Sequence, residues 1–385
     1  MRAALICLPD LGEVAGALHA PLIAGRSAAD CQLELALKCG CELVIVHGHG
    51  ASREAIALRH RAEQAGARFQ TVNDARALIG SVGAGDSLLV LQAGLWPEAP
   101  EVLAALRSDA CIVVLPAGAG LQAGFERINL DRAWAGALVL PGHLLAGLAA
   151  LPHDVAPAPA LLRVALQMGL PETRIPAELL DNGSWNLLRS ADAAGRFELL
   201  WLRRVIGTGQ GISARVASFL LHLYGGTLAA HPRSFIALIA VLGVLLTGAL
   251  AAAWRGHPVP AFALLAFAAP LTHSITGFAR IRAAPFGSAR HWPRLRHLLD
   301  AGLAFCAVWS IEGLWQRAVF TPLVLVAVLL LLDRRTLPAA AEALRDRGVV
   351  AALLCGLMLV TRPEPAIMAV AALVLCANLW PEKRN

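Results

Sequence analysis

The amino-acid sequence predicts two parts of different fold class, an α/β domain followed by an all-α polytopic membrane domain of about six helices. In the first part, strand-like apolar runs alternate with amphipathic segments. In the second part, long apolar segments follow one another with few charged residues between them. The chain of 385 residues is 57% hydrophobic and only 16% charged, so it is more apolar than an average soluble protein. We assign residues 1–198 to the α/β domain, 199–232 to an amphipathic surface helix or linker, and 233–385 to the membrane domain.

The strands of the first domain are predicted from short apolar runs rich in valine, isoleucine and leucine. They lie at 2–8, 42–47, 67–71, 87–92, 111–116 and 137–140, and amphipathic helices are predicted between them near 28–38, 52–65, 73–79 and 98–106. This alternation implies a parallel or mixed sheet covered by helices. Sheets of that kind bind ligands at the carboxyl ends of their strands.

A bridging segment over residues 199–231 joins the two parts. Apolar residues recur there at helical spacing, with Arg203, Arg204 and Arg215 among them. That pattern is typical of an amphipathic helix on the cytoplasmic surface of a membrane. The alternative interpretation is an ordinary last helix of the soluble domain.

Six apolar segments follow residue 233 and are the candidate membrane spans. They cover approximately 234–254, 258–279, 298–316, 318–332, 348–361 and 365–380. A helix that crosses the hydrocarbon core needs about 20 residues. The first three segments meet that length and the last three are shorter, so four spans are the alternative to six.

The distribution of basic residues sets the orientation of these segments. With the first domain inside, the inner loops and tail carry eleven basic residues and the outer loops carry three. The inner ones are Arg280, Arg282, Arg290, Arg294, Arg296, Arg334, Arg335, Arg345, Arg347, Lys383 and Arg384, and the outer ones are Arg255, Arg317 and Arg362. Basic residues concentrate on the cytoplasmic side of membrane proteins. We therefore expect a multi-pass protein of a bacterial inner (cytoplasmic) membrane, with its first domain in the cytoplasm.

Two other classes of function are disfavoured by composition. The net charge of +6 is mostly arginine beside apolar segments, and no nucleic-acid-binding motif is present, so we expect no nucleic-acid partner. The eight cysteines form no CxxC pair, and Cys39 and Cys41 with His47 and His49 fit no structural zinc spacing. We expect buried free thiols and assign no metal ligand.

The first domain contains three stretches that match a known pattern. They are Ala20-Pro-Leu-Ile-Ala-Gly-Arg-Ser27, Gln32-Leu-Glu-Leu-Ala36 and Cys39-Gly-Cys-Glu-Leu-Val-Ile-Val46. In this order they resemble the run that follows the nucleotide-binding loop in the sugar-nucleotidyltransferase family. The resemblance implies a nucleotidyltransferase-like fold, GT-A or Rossmann-like, over residues 1 to about 200.

Two residues that the nucleotidyltransferase chemistry uses are missing. The segment Leu8–Ala17 contains glycines but no arginine or lysine to hold a triphosphate, and Gln92 follows the 87–92 strand where the family has a metal-binding aspartate. Phosphoryl transfer depends on such a cation for charge neutralisation. The resemblance therefore implies the fold rather than nucleotidyl transfer.

The end of the second apolar segment carries a second resemblance. Thr272-His-Ser-Ile-Thr-Gly-Phe-Ala-Arg280 is similar to the D-x-x-D-G-x-x-A-R signature of CDP-alcohol phosphatidyltransferases, with Ala279-Arg280 matching, and Arg233 lies where that family begins its first span. The two halves together resemble bifunctional inositol-phosphate cytidylyltransferase/di-inositol-phosphate phosphate synthases. The resemblance implies CDP-alcohol or another nucleotide as ligand, and Mg²⁺ or Mn²⁺ if the chain is catalytic.

The acidic residues of that signature are replaced. Thr272 stands for the first aspartate, Ile275-Thr276 for Asp-Gly, and Ala289, Pro293 and His297 occupy the later positions. Asp300 is the nearest carboxylate and is out of register. The weak catalytic candidates are Asp300 and His273, and the substrate-binding candidates are Arg233, Thr272, Thr276, Arg280, Arg282 and Arg290. The alternative is that the threonines bond to their own helix and the arginines only determine topology.

Three hypotheses follow. The first is a membrane-bound protein of phospholipid or sphingolipid headgroup metabolism, a diverged CDP-alcohol phosphotransferase. The second is a catalytically inactive descendant that binds a nucleotide or lipid and scaffolds or regulates a partner. The third is a transporter-like membrane protein, although no inverted repeat is evident. Membrane lipids are the expected partners, and a homodimer is compatible with all three.

Overall fold

A computed structural model describes residues 1–9, 21–150, 155–207, 211–231, 233–284, 286–287, 294–334 and 342–379. The chain divides into two compact units, Met1–Trp201 and Leu202–Asn385.

The first unit is built on a mixed sheet whose described strands number seven. The strands are β1 (Arg2–Cys7), β4 (Leu43–His47), β5 (Arg68–Val72), β6 (Ser87–Leu91), β8 (Cys111–Pro116), β9 (Arg132–Pro141) and β10 (Glu172–Arg174), in the order β10-β8-β9-β6-β1-β4-β5. β1 pairs in parallel with β4 and β6, whereas β9 runs antiparallel between β6 and β8. The six predicted strands and the mixed sheet are confirmed, and β9 is longer than its predicted 137–140.

Two short antiparallel pairs lie beside this sheet. One joins β2 (Leu22–Ile23) to β3 (Arg26–Ser27), and the other joins β7 (Leu95–Pro97) to β11 (Trp185–Leu187). The second pair was not predicted, because three-residue strands produce no apolar run of recognisable length.

The helices of the first unit cover both faces of the sheet. They are α1 (Ala28–Lys38), α2 (Arg53–Gln64), α3 (Leu78–Ser81), α4 (Leu103–Leu106), α5 (Ala117–Gln122), α6 (Pro157–Gln167) and α7 (Glu178–Asp181). Ser27 starts α1 with a capping box, in which its hydroxyl accepts from the Asp30 N–H and Asp30 accepts from the Ser27 N–H. Ala3 and Leu5 of β1 pack with α6, whereas Ile6 packs with α1 and α2, as the two-residue period of a strand requires.

The bridging segment is two helices rather than the single helix predicted over 199–231. The helix α8 (Ala191–Ile206) begins within the first unit, and α9 (Ile212–Ala230) follows after a break. Gly207 and Gly211 have φ values of +72° and +99°, a region that favours glycine and ends a right-handed helix. Residues 207–211 read Gly-Thr-Gly-Gln-Gly and contain no apolar side chain, so the sequence carries a signal for the interruption that the single-helix prediction did not use.

The second unit is helical throughout its described length. Its remaining helices are α10 (Ser234–Trp254), α11 (Pro258–Ala283), α12 (Leu295–Ser310), α13 (Trp315–Leu332), α14 (Arg347–Met358) and α15 (Pro363–Leu379). All six contribute to one apolar cluster that is rich in small side chains such as Ala249, Ala253 and Ala261. Small residues allow membrane helices to approach closely.

Three of these helices are long and apolar enough to cross a membrane, namely α10, α11 and α13. The helices α14 and α15 are apolar but shorter, and α12 has 16 residues with charged groups in its first turns. The helical character of the six predicted segments is therefore confirmed, while the number of spans supported by length and composition is three.

Candidate functional site

Four helix ends of the second unit meet around a cavity of about 420 Å³, which we call the headgroup cavity. The second half of α11, the start of α12, the end of α13 and the start of α14 form its walls. Its polar lining residues are Thr272, His273, Thr276, Arg280, Arg296, Asp333, Glu342, Arg345, Asp346 and Arg347. The sequence-predicted residues Thr272, His273, Thr276 and Arg280 are thus brought together in one place.

Arg347 is the most buried charge of this cavity, with its side chain only 3% exposed. Its Nε donates to Asp300 Oδ1 at 2.6 Å, and its Nη1 and Nη2 donate to the two oxygens of Asp333 at 3.1 and 3.0 Å. One guanidinium therefore joins two carboxylates from α12 and the end of α13. Arg296 also pairs with Asp333. Such forked, charge-assisted bonds are strong and geometrically specific.

Asp346 connects the starts of two helices. Its carboxylate accepts from the Gly348 N–H at 2.9 Å, from the Ser213 N–H at 2.5 Å and from the Ser213 hydroxyl at 2.6 Å. Gly348 lies in the first turn of α14 and Ser213 in the first turn of α9. The carboxylate thus satisfies N–H groups that have no partner inside either helix.

Arg280 and Arg345 differ from Arg347 in having only carbonyl partners. Arg280 Nη1 donates to the Ile206 carbonyl at 3.3 Å, and Arg345 Nε and Nη2 donate to the Leu332 carbonyl at 3.1 and 3.0 Å. Within the described part of the chain neither guanidinium has a carboxylate in ion-pair distance. Among the residues that line the cavity, the Glu342 carboxylate has no ion-pair partner in the described part of the chain. The cavity therefore presents two uncompensated guanidinium groups against one free carboxylate.

The hydroxyl groups of α11 bond to their own helix. Thr272 donates to the Ala269 carbonyl at 2.7 Å, and Thr276 donates to the His273 carbonyl at 2.8 Å. Such back-bonds leave the hydroxyl oxygens as acceptors rather than as donors toward a ligand. For the threonines, the structure thus agrees with the alternative that they serve their own helix.

Three further candidates, Arg282, Arg233 and Asp300, do not line the headgroup cavity. Arg282 lies over the Phe235 ring at 5.5 Å, in a cation–π contact, and Arg233 is exposed at the start of α10. Arg290 lies outside the described residues. Asp300 stands behind Arg347 rather than at the cavity surface, and its Oδ2 is buried without a hydrogen-bond partner among the described residues.

Six polar residues of the site were not predicted as site residues. They are Arg296 at the start of α12, Asp333 at the end of α13, and Glu342, Arg345, Asp346 and Arg347 at the start of α14. For Asp333 and Asp346, the signal in the sequence is an acidic residue beside a pair of arginines, which a role in topology alone does not require.

The residues present do not fit the Mg²⁺ or Mn²⁺ that the resemblance implies. These cations are bound by several oxygen ligands, chiefly carboxylates. Among the described residues no group of three or more His, Cys, Asp and Glu side chains is arranged to hold a metal ion. The carboxylates of Asp300 and Asp333 already have a cationic guanidinium between them.

A second cavity, of about 480 Å³, lies in the first unit at the carboxyl ends of β1, β4 and β6. Its polar lining includes Cys7, His47, Glu54, Gln92 and Arg189. Burial raises the pKa of the Cys7 thiol to about 12 and also raises the pKa of the Glu54 carboxyl. The segment Leu8–Ala17, predicted to be the nucleotide-binding loop, lies mostly outside the described residues.

The side chain at the end of β6 is an amide rather than the expected carboxylate. The backbone carbonyl of Gln92 accepts a hydrogen bond from Gln32 Nε2 at 2.8 Å. The side-chain oxygen, Gln92 Oε1, is buried and has no hydrogen-bond partner among the described residues. A neutral amide supplies no charge for a divalent cation. The metal-binding feature of nucleotidyltransferases is therefore missing from this position of the first unit as well.

No protein-family model matches this chain, and no curated protein matches it. Among solved structures, the chain is similar to a UDP-glucose pyrophosphorylase from Acinetobacter baumanii, with a TM-score of 0.38 and 13% sequence identity. That similarity covers 53% of this chain and 94% of the other. No family model supports the CDP-alcohol phosphatidyltransferase resemblance of the second unit.

Proposed function

We propose that this protein binds the phosphate of a lipid headgroup or CDP-alcohol in the headgroup cavity without transferring it, as an inactive descendant of CDP-alcohol phosphotransferases in phospholipid or sphingolipid headgroup metabolism. We also propose that the second unit spans the membrane six times and that the first unit is cytoplasmic. The headgroup cavity would then lie at the cytoplasmic ends of the helices that form it. Its biological role would be to scaffold or regulate a partner enzyme.

The observation that carries the proposal is the Arg347 bridge between Asp300 and Asp333. Transfer from a CDP-alcohol needs divalent cations on the diphosphate and a base for the attacking alcohol. A carboxylate that is bidentately bonded to a buried guanidinium is poorly available for either task. Asp300 and Asp333 are thus occupied by Arg347, which argues against their acting as a catalytic pair.

Binding, in contrast, needs only donors with spare capacity. Arg280 and Arg345 each have guanidinium N–H groups that no carboxylate engages within the described residues. Arginine binds phosphate oxygens in the same forked geometry that it uses with carboxylates. An incoming phosphate would therefore gain two cationic partners without displacing the Arg347 bridge.

The test combines turnover and binding in one preparation. The purified full chain in lipid nanodiscs is incubated with CDP-diacylglycerol and CDP-inositol, with and without Mg²⁺ or Mn²⁺, and CMP release is measured beside equilibrium binding. We expect binding without CMP release, and about tenfold weaker binding for Arg280→Gln, since one charge-assisted contact is lost. Arg282→Gln, which lies outside the cavity, is the matched control.

Two results would contradict the proposal in different ways. Metal-dependent CMP release that Arg280→Gln abolishes would establish a transferase with unrecognised metal ligands. Equal binding by Arg280→Gln and wild type would remove the headgroup cavity from consideration.

A further inference from the structure

We infer that a cavity of the first unit binds a small zwitterion, whose ammonium group is held by Glu54 and whose anionic group is held by Arg189. The cavity is the one of about 480 Å³ at the carboxyl ends of β1, β4 and β6, and we call it the sheet-end cavity. It shares no lining residue with the headgroup cavity, so this inference does not rest on the proposed function. The ligand class also differs from the nucleotides that nucleotidyltransferases bind.

Glu54 is the acidic group of the sheet-end cavity, and no cation compensates its charge. Within the described residues, no Lys, Arg or His side chain lies within ion-pair distance of its carboxylate. Burial raises the pKa of the Glu54 carboxyl, a hydrogen bond from Ser27 opposes that rise, and the negative charge of Asp30 adds to it. A partly buried carboxylate of this kind is stabilised by a nearby cation. The ammonium group of a ligand would supply that positive charge.

The start of α1 is already faced by this carboxylate. Ser27 is the N-cap residue of α1, and its hydroxyl donates to Glu54. The negative charge of Glu54 therefore lies next to the positive end of the helix dipole. A second anion placed there would be repelled by Glu54. The wall that α1 and α2 form thus favours the cationic end of a ligand.

The start of α6 also offers little to a phosphate group. Helix starts bind phosphates through the free N–H groups of their first turn. Pro157 and Pro159, the first and third residues of α6, have no N–H group. The N–H group of Ala158, which lies between them, donates to the sulfur of Cys7. A nucleotide phosphate would therefore find no free N–H group among these three residues.

Arg189 is the basic group of the cavity and lies on its opposite side. The neighbouring Leu188 donates its N–H to the Gly94 carbonyl at 2.8 Å, which places Arg189 beside the end of β6. Glu54 follows β4, and β1 lies between β4 and β6. Neighbouring strands are about 4.8 Å apart, so the two charged sides are separated by roughly 10 Å. Arg189 is exposed and has no carboxylate partner in the described ranges, so its guanidinium is available to an anion.

Most of the remaining lining is small and apolar. Ala28 and Ala29 contribute from α1, Ala93 from the end of β6 and Ala158 from α6, while His47 and Gln92 are the polar exceptions. Such a surface has little hydrogen-bonding capacity and packs well against methylene groups. A ligand with an ammonium group at one end, an anionic group at the other and methylenes between them therefore matches the cavity.

The test uses probes that differ in one charged group. Binding of γ-aminobutyrate, butyrate and butylamine to the detergent-purified full chain is measured by equilibrium dialysis at neutral pH. Glycine, β-alanine and ε-aminohexanoate vary the distance between the two charges, and phosphoethanolamine replaces the carboxylate of β-alanine by a phosphate. The variants are Glu54→Gln and Arg189→Gln. Their matched controls are Glu63→Gln and Arg174→Gln, which change exposed residues outside the cavity.

We expect γ-aminobutyrate to bind about tenfold more tightly than butyrate or butylamine, because each of these lacks one charge-assisted contact. Glu54→Gln should weaken binding of γ-aminobutyrate about tenfold and leave binding of butyrate unchanged. Arg189→Gln should weaken γ-aminobutyrate and butyrate but not butylamine. Glycine should bind more weakly than the longer probes, since it cannot reach both sides. Glu54→Asp keeps the charge and should recover part of the binding that Glu54→Gln loses.

Three results would overturn the inference. The first is that wild type binds none of the zwitterions at millimolar concentration. The second is that Glu54→Gln and wild type bind γ-aminobutyrate equally well, which would remove Glu54 from the site. The third is that UTP binds wild type and is weakened by Arg189→Gln but not by Glu54→Gln, which would identify an anionic nucleotide as the occupant. None of these results concerns the headgroup cavity, so the proposed function is tested separately.

Discussion

Arg347 shows how one side chain determines what a site can do. Its guanidinium is buried between Asp300 and Asp333, so one positive charge is shared by two negative charges, and Arg296 supplies a second cation to Asp333. An intact buried pair contributes little net stability, because desolvation offsets the attraction. Removal of one member, however, leaves the other charges buried and unpaired.

The substitution Arg347→Met should therefore destabilise the protein by about 3–5 kcal/mol. With the guanidinium gone, Asp300 loses its bonded cation and Asp333 keeps only Arg296, so the two carboxylates can bind a cation between them and added Mn²⁺ should restore part of the stability. The measurements are thermal unfolding in detergent with and without Mn²⁺, and electron paramagnetic resonance of bound Mn²⁺.

The matched control is Arg345→Met, because Arg345 bonds only to the Leu332 carbonyl. It should cost less stability and create no Mn²⁺ binding. Two results would contradict this prediction. One is that wild type binds Mn²⁺ as strongly as Arg347→Met, and the other is that neither Arg347→Met nor the smaller Arg347→Ala binds Mn²⁺. Either result would show that the guanidinium does not occupy a position in which a cation can bind.

The thiols of the first unit form a second prediction at this scale. Burial raises the pKa of Cys7 and Cys41 to about 12, so about one thiol in ten thousand is ionised at pH 8. Cys31, Cys39 and Cys111 are also buried. We expect iodoacetamide at pH 8 to leave all five unlabelled in the folded chain and to label them after unfolding in urea. Fast labelling of Cys39 or Cys41 before unfolding would contradict the buried state, and peptide mass spectrometry would reveal it.

At the scale of elements, the β7–β11 pair depends on a close approach between the backbone at Gly94 and the backbone at Leu188. Gly94 has a φ of +74°, and a Cβ atom there would lie 2.4 Å from the Leu188 carbonyl oxygen. The Leu188 N–H in turn donates to the Gly94 carbonyl at 2.8 Å. The turn before β7 and the end of β11 are therefore in contact through backbone atoms alone.

The substitution Gly94→Ala should be clearly more destabilising than Gly66→Ala. Gly66 has a φ of +83°, but a Cβ atom there would meet nothing within 4 Å, so it carries only the cost of the left-handed conformation, about 1–2 kcal/mol. Gly94 adds a steric clash that costs about 1–3 kcal/mol more. Urea unfolding followed by tryptophan fluorescence measures both, and equal midpoints would show that the Leu188 contact relaxes freely.

The double cap by Asp346 makes a third element-scale prediction. Asp346→Ala removes the acceptor for N–H groups at the starts of α9 and α14 and should cost about 1–4 kcal/mol. Hydrogen exchange should accelerate at the Ser213 and Gly348 amides in particular. Asp346→Asn keeps one carbonyl oxygen and should recover part of the loss. Unchanged exchange at Ser213 in the alanine variant would contradict the link between the two helices.

The elements that could be predicted are those whose pattern is local. Buried apolar runs identified β1, β4, β6 and β8, and the helical period identified the six segments of the second unit. The break at Gly207 and Gly211 was not predicted although it has a signal in the sequence, because three glycines stand within five residues that include no apolar side chain. The extension of β9 to Arg132 was not predicted either, since Ala133, Ala135 and Gly136 are small and Trp134 is a lone strand-favouring residue among them.

The candidate site was predictable only in the part carried by one segment. Thr272, Thr276 and Arg280 share a face of α11, and the resemblance to the CDP-alcohol phosphatidyltransferase signature identified them together. Arg347 meets Asp300, a residue 47 positions away, through helix packing that no local pattern encodes. Side chains from separate helices meet because the helices pack together in the folded protein. The sequence alone shows that these residues are charged but not that they are close.

At the scale of the whole molecule, the six-span arrangement is a prediction about orientation. It places the α10–α11, α12–α13 and α14–α15 connections outside and the α13–α14 connection inside. In a Cys355→Ala, Cys376→Ala background, Glu312→Cys and Arg362→Cys should react with a membrane-impermeant maleimide in spheroplasts, whereas Arg334→Cys should react only after permeabilisation. All three native positions are exposed. Labelling of Arg334→Cys in intact spheroplasts would reverse or refute the six-span topology.

The position of β9 between β6 and β8 has a consequence for how the nascent chain assembles on the ribosome. Strands β1, β4, β5 and β6 can complete a parallel sheet once residue 91 has left the exit tunnel, because β9, the antiparallel partner of β6, is the one neighbour in the described sheet that lies outside this set. The strand β8 is synthesised earlier than β9 but joins the sheet only through β9. During that interval the free edge of β6 is an apolar template for incorrect pairing. Chaperone contact during synthesis should therefore concentrate on the interval between the emergence of β6 and that of β9.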